Sequence, residues 1–216
     1  MCGVCCAASP ISLLPHEDVI LGSLAELLGV EYRSAPGYAM YDAVSGLNLA
    51  FSYAMELVDG RCPFLDSRGL CRIHGIYKPL ICRSYPYVPR HVRYNVDASS
   101  RTVFPSSEYG LSLLCPVIRR DREALERLYA LGRPLDEYMP SEVEAAREME
   151  RIRRLLLYML SELWRRGAVE LSRAREGAPY ENLYVFLVRF FPSLPQVLGV
   201  SRTIQRAREA LSVELR

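Results

Sequence analysis

Lysine is nearly missing from this chain. Lys78 is its only lysine, and arginine carries the rest of the basic charge. Asn and Gln are scarce, and histidine occurs three times, at His16, His74 and His91. Neither sign of charge dominates. The formal net charge is +2 over 216 residues, too little to attract nucleic acid or an anionic membrane by bulk electrostatics. A membrane-spanning helix needs about 18 consecutive apolar residues. The nearest stretch, residues 182–200, is broken by Arg189, Pro192 and Pro195. Residues ahead of position 30 lack a basic region, and their apolar stretches are interrupted by Pro10, Pro15, His16, Glu17 and Asp18, unlike a secretory signal. The expectation is a soluble, cytoplasmic protein that binds neither nucleic acid nor membrane.

Catalytic signatures are missing as well. No G-x-G-x-x-G follows a strand, so a Rossmann-type cofactor site has no visible mark. There is no C-x3-C-x2-C run of the radical-enzyme kind. No Ser/His/Asp or Cys/His nucleophile set stands out among the three histidines. Catalytic and cofactor-binding residues therefore cannot be named from sequence.

Cysteine is what the chain does have. Its seven cysteines are Cys2, Cys5, Cys6, Cys62, Cys71, Cys82 and Cys115. Cytosolic thiols stay reduced and the count is odd, so a disulfide framework is the weaker account. Scattered buried thiols would suit Cys115 but not three cysteines within "CGVCC". Metal binding is the favoured account.

The periodicity predicts an α+β protein. "PHEDVILGSLAELLG" has Pro15 in the first turn, Glu17 and Asp18 behind it and Gly29 as a stop, the pattern of a helix. "LNLAFSYAMEL" alternates, with Leu47, Leu49, Phe51, Tyr53, Met55 and Leu57 on one face and Asn48, Ser52 and Glu56 on the other, which predicts one half-buried strand. "HVRYNVDASSRTVF" predicts a hairpin turning at 97–100. "RDREALERLYALG" predicts a short helix ending at Gly132. A long helix follows, opened by Ser141 with Glu144 completing a capping box, and striped by Met149, Ile152, Leu156, Leu160 and Leu163. An aromatic segment, "YENLYVFLVRFF", and a helix from Arg202 to Leu215 close the chain. The expected architecture is a small, irregular, metal-binding cysteine-loop domain with a short antiparallel sheet over 1–118, followed by a helical region over 119–216.

C-x2-C spacing at Cys2 and Cys5 lets a tight turn aim two thiolates at one metal. Adjacent side chains diverge, so Cys6 belongs to a second centre, to another iron of a cluster, or to neither. Cys62, Cys71 and Cys82 are separated by eight and ten residues, too far apart for a zinc knuckle. Turn formers Asp66, Ser67 and Gly69, with Pro63, Pro79 and Pro86, stiffen the segment between them. Soft thiolates suit an iron–sulfur cluster or zinc, and long irregular spacing leans to the cluster.

The pieces "CGVCC", "CPFLD", "CRIH", "KPLICRSYP" and "LCPVI" together resemble the YkgJ-type cysteine-cluster family. The resemblance covers about residues 1–118 and implies a zinc- or iron-chelating domain. Its members include flagellin lysine N-methylases. Family members commonly carry one more cysteine three residues before the first one here, a position that falls ahead of Met1. Either the true start lies upstream or a ligand is absent. Two four-cysteine sites would need eight thiolates against seven, and His74, three residues after Cys71, is a candidate eighth ligand. The stretch from Cys71 to Cys82 also runs one residue longer than usual in the family.

Two functions follow. One is a metal- or Fe–S-binding module, structural or electron-transferring, working with a redox partner. The alternative is a protein lysine methyltransferase that uses S-adenosylmethionine, with the cluster organising a site for a protein substrate. An aromatic pocket from Tyr38, Tyr41, Tyr85, Tyr87 and Tyr94 beside the cysteines would favour the enzyme. Lys78 and Arg83 are candidates for offsetting thiolate charge. If metal ties "CGVCC" to the Cys62–Cys82 segment, Cys2→Ser and Cys82→Ser each lose metal and loosen the same region. Metal content and hydrogen exchange of the two variants check this. Full metal content in either would remove that cysteine from the ligand set.

Overall fold

The computed structural model describes residues 3–8 and 11–214. Short elements dominate the first half: α1 (Val4–Ala8), β1 (Ile11–Leu13), α2 (Pro15–Leu28), β2 (Ser34–Pro36), β3 (Ala39–Asp42), β4 (Leu47–Ala50), β5 (Tyr53–Met55) and α3 (Leu80–Ser84). A long hairpin follows, β6 (Tyr87–Asp97) and β7 (Thr102–Leu111). Then come α4 (Pro116–Arg120), α5 (Arg122–Ala130), a 3-10 turn (Leu135–Glu137) and the long α6 (Pro140–Arg165). The chain closes with β8 (Leu171–Arg173), β9 (Tyr180–Asn182), α7 (Leu183–Val188), α8 (Leu194–Val197) and α9 (Val200–Glu214). The fold is α+β, with N-terminal strands and a helical C-terminal region.

The strands make three small sheets, ordered β1-β5-β2, β8-β3-β4-β9 and β6-β7. All pairings are antiparallel except β4 with β9. One continuous core runs from Leu13 to Ala207 and takes in both halves of the chain. The apolar stripe of α6 lies inside it: Met149, Ile152, Leu156, Leu160 and Leu163 are all buried. Ser161 fixes the hairpin to this helix, its hydroxyl accepting from the Val103 N–H at 2.9 Å. Among the described residues no helix is long and apolar enough to cross a membrane.

Several sequence expectations need correction. "LNLAFSYAMEL" is two strands in two sheets, not one. The break falls at Phe51–Ser52, where the Gly37 N–H donates to the Ser52 carbonyl at 2.8 Å. A Cβ at Gly37 would stand 2.6 Å from the Ser52 hydroxyl, which would have to turn aside for any other residue. Asn48 belongs to the buried side rather than the polar one. Its amide donates to the Arg175 and Ala178 carbonyls and accepts from the Arg175 N–H, so every polar atom is satisfied by a distant loop. The short helix expected over 120–132 is α5 (Arg122–Ala130), with Gly132 at φ 65° just past its end, and the separate one-turn α4 before it is not expected from the sequence. The long helix starts at Pro140 with Met139 as its cap residue and no side-chain cap bond, so Ser141 forms no capping box. Proline's fixed φ suits the first helical position, and Met139 is anchored in a second cluster with Ile118, Leu125 and Val143.

His16 sits at the second position of α2 and is 3% exposed. Its ring lies tilted against Tyr184, and its Nδ1 has no hydrogen-bond partner among the described residues. Burial lowers its pKa to about 4, against an upward pull from Glu148. The imidazole is therefore neutral at pH 7. Between about 6.5 and about 4 the unfolded chain binds more protons at this position than the folded one. Its contribution is thus full above the unfolded value and is lost as pH falls through that window. Wild type is expected to lose up to about 3 kcal/mol more than His16→Leu between pH 7 and pH 4. Urea midpoints of both proteins at the two pH values check this.

Candidate metal centre

Three separate stretches of chain build the site. Cys5 and Cys6 lie on α1, which is opened by Gly3 in the left-handed region at φ 65°. The Gly3 carbonyl accepts from the Cys6 and Ala7 N–H groups. A Cβ on Gly3 would come 3.3 Å from the Gly69 carbonyl, so glycine is needed both for the turn and for the approach to the next stretch.

That stretch is the loop carrying Cys62 and Cys71. The Cys62 N–H donates to the Cys6 carbonyl at 2.9 Å, joining loop to helix directly. Leu65 and Cys71 form an isolated antiparallel bridge. Asp66 closes the turn between them: one carboxylate oxygen accepts from the Arg68 and Leu70 N–H groups at 2.9 and 2.8 Å. Sequence reading assigns Asp66 this Asx-turn role, and the geometry agrees.

Cys82 comes from α3, whose start is fixed by Glu17 of α2. The Glu17 carboxylate is completely buried. One oxygen accepts from the Leu80 N–H at 2.7 Å and from the Tyr77 hydroxyl at 3.1 Å; the other accepts from the Leu14 N–H at 3.1 Å. Burial raises the Glu17 pKa, and the N–H donors of Leu80 and Leu14 pull it back. Nothing in the sequence marks Glu17 as more than a first-turn acid, because its partners Tyr77 and Leu80 lie 60 and 63 residues away.

The result is one cavity of about 200 Å³ lined by Cys5, Cys6, Cys62, Cys71, Cys82 and Cys115. Ile11, Leu21, Met55, Phe64 and Ile73 supply its apolar wall, and Lys78 is its one charged lining residue among those described. Cys115 reaches it from the N-terminal cap position of α4. The Ser112 N–H bonds the Pro86 carbonyl at 2.9 Å, which returns the chain to the end of α3 after the hairpin.

The described cysteines are all free thiols. The Cys5 and Cys6 sulfurs are 3.8 Å apart. Among the described residues no three His, Cys, Asp or Glu groups are close enough to grip one ion in the arrangement shown. The sulfurs stand around the wall of a shared space. Cys2 is outside the described residues. His74 is exposed and does not line the cavity, and neither does exposed Arg83. Tyr85 lines it, but the other four tyrosines do not. Tyr38 and Tyr94 stack on each other at 4.6 Å beside Phe51, Tyr41 lies under the Arg175 guanidinium, and Tyr87 packs on Tyr109.

The electrostatics favour a cation. The contact with the Cys6 sulfur, with help from the Lys78 ammonium, lowers the Cys5 pKa despite burial. The same contact, burial and neighbouring thiolate charge push Cys6 up. Burial raises Cys62 and Cys71. It raises Cys82 as well, with Glu17 adding to the effect. Thiolates crowded into an apolar cavity lack the positive charge that would stabilise them, and a metal ion supplies it while displacing their protons. The donor set is sulfur, with no imidazole or carboxylate among the described lining residues. It fits zinc or iron–sulfur chemistry and disfavours hard, oxygen-seeking cations.

Residues 1–103 match the CxxCxxCC family model, described as a "putative zinc- or iron-chelating domain". The match covers just under half of the chain, takes in six of its seven cysteines, and agrees with the cysteine-cluster resemblance of the motifs. No curated protein and no solved structure matches the chain.

Glu17→Ala leaves the Leu14 and Leu80 N–H groups and the Tyr77 hydroxyl without their acceptor. The expected loss is about 3 kcal/mol of unfolding free energy, with exchange protection lost first at residues 77–84. Urea denaturation and hydrogen exchange check both.

Proposed function

We propose that the protein is a metal-chelating module that holds an iron–sulfur cluster, with zinc as the competing occupant, between α1, the Cys62–Cys71 loop and α3. The observation that carries this is the meeting of six cysteines, up to 110 positions apart in the chain, at one apolar cavity that also receives the only lysine. A structural zinc site needs four ligands. Six described thiols, with Cys2 beside them in sequence, exceed that number and favour a polynuclear cluster or two ions. Cys5, Cys6, Cys62, Cys71, Cys82 and Cys115 are the proposed ligand pool. The Lys78 ammonium offsets part of their negative charge.

When bound, the metal centre ties the N-terminal helix to the domain and, as a cluster, supplies one-electron chemistry. The chain's own residues set its surroundings. The Asp66 turn holds Cys71 against Leu65, Glu17 holds the helix of Cys82, and Met55 and Phe64 keep the space apolar. The lysine-methylase alternative finds no support in the tyrosines, four of which are engaged in packing elsewhere.

Protein purified without oxygen is expected to carry iron and acid-labile sulfide, about four of each per chain, with a broad visible absorption that bleaches on reduction. Metal and sulfide analysis with a visible spectrum checks this. A colourless protein with stoichiometric zinc would replace the cluster by a structural site. Absence of both metals, with every thiol titratable, would overturn chelation by this chain.

A further inference from the structure

A second cavity of about 310 Å³ adjoins the first and is bounded by the same Cys5, Cys6, Cys62 and Cys82. Its other lining residues include Met55, Ile81, Val88 and Leu114, with Ser12 and Ser112. None of its described lining residues is acidic, and one is charged: Arg90. That size is at the lower end of small-molecule sites.

Three local features place Arg90 there. It is the extra residue of a β-bulge in β6, since Pro89 pairs with Tyr109 and His91 with Glu108. Bulges re-aim a side chain out of the regular alternation. The Arg90 side chain then lies across Gly110 of β7, where a Cβ would stand 3.2 Å from both its Cγ and its Nε. Finally, Arg90 Nη2 donates to the Leu111 carbonyl. Twelve ion pairs occur among the described residues, and Arg90 is in none of them. Arg90 is an exposed residue, and its other N–H donors have no hydrogen-bond partner among the described residues.

We infer that this cavity binds a small organic anion, with its carboxylate or phosphate on the Arg90 guanidinium and a short aliphatic body against Met55, Ile81 and Val88. A guanidinium fork matches either head group in a two-point contact. The apolar body would lie against the cysteine-bearing wall. The site rests on the hairpin, and on the proposed metal only for what stands behind that wall.

The test uses the full chain as purified without oxygen, with metal content measured on every sample. Calorimetry is run with hexanoate, hexyl phosphate and, as the uncharged control, hexanol. Wild type is expected to bind at least one of the two anions and to bind hexanol at least ten-fold more weakly. The two anionic probes distinguish a carboxylate head from a phosphate head. Arg90→Gln weakens the anion at least ten-fold with metal content unchanged, and Gly110→Ala, which crowds Arg90 off its seat, weakens it several-fold. Equal binding by wild type and Arg90→Gln, or no binding of either anion by wild type, overturns the site. Loss of metal in Arg90→Gln also overturns it, because the guanidinium would then be a counter-charge to the metal centre. Failure of chelation is read separately, from the metal content of wild type.

Discussion

The buried carboxylate of Glu17 is the interaction on which the cysteine site depends. It takes three donors from three places: the start of its own helix, the Tyr77 hydroxyl and the first N–H of α3. Removing a carboxylate from water is costly, and hydrogen bonds from N–H groups offset that cost only while every donor stays in position. The arrangement is therefore all or none. Shifting α3 would leave a fully buried carboxyl group without the Leu80 donor. Cys82 inherits this rigidity, since it lies two residues beyond Leu80 in the same short helix.

The same carboxylate adds to an electrostatic imbalance. Burial raises the Cys82 pKa first, Glu17 and the thiolates add to it, and Cys6 also feels Cys5, Cys62 and Cys82. Against them stands the Lys78 ammonium, which acts favourably on Cys5, Cys71 and Cys82. One cation facing five or six ionisable sulfurs leaves the cavity short of positive charge. Protons supply it in the metal-free chain, and a metal ion bound by thiolates supplies it with directional bonds. The excess of sulfur, the scarcity of cations and the apolar walls are thus one property of the site seen in three ways.

Local pattern made parts of this legible in the sequence. The stripe of α6, the stop at Gly29 and the Asp66 turn depend on neighbours within a few residues, and each stands where periodicity and turn chemistry place it. The cysteines were legible through motif and compartment. What escaped was set by contacts distant in sequence. The break between β4 and β5 lies where Gly37 bonds Ser52, and the burial of Asn48 depends on a loop more than 120 residues later. Glu17 resembles any first-turn acid until Tyr77 and Leu80 are folded onto it. Arg90 carries no mark at all, because a bulge is a property of the pairing between two strands and not of either strand alone.

The position of Cys115 shows how far the site extends along the chain. The family match ends at residue 103, within β7. The hairpin leaves α3 at Tyr87 and returns at Leu111, and the Ser112 N–H then bonds the Pro86 carbonyl. Twenty-five residues from 87 to 111 thus make a closed excursion that begins and ends beside Cys82. The hairpin is held out by α6, through Ser161 at Val103 and the packing of its strands on that helix. Cys115 follows three residues after the closure and sits both in the cysteine cavity and in the second cluster, with Met139 and Val143 at the start of α6. The last cysteine is therefore positioned by residues that the matched segment does not contain. The cavity is complete only when the hairpin has closed and α6 has packed behind it.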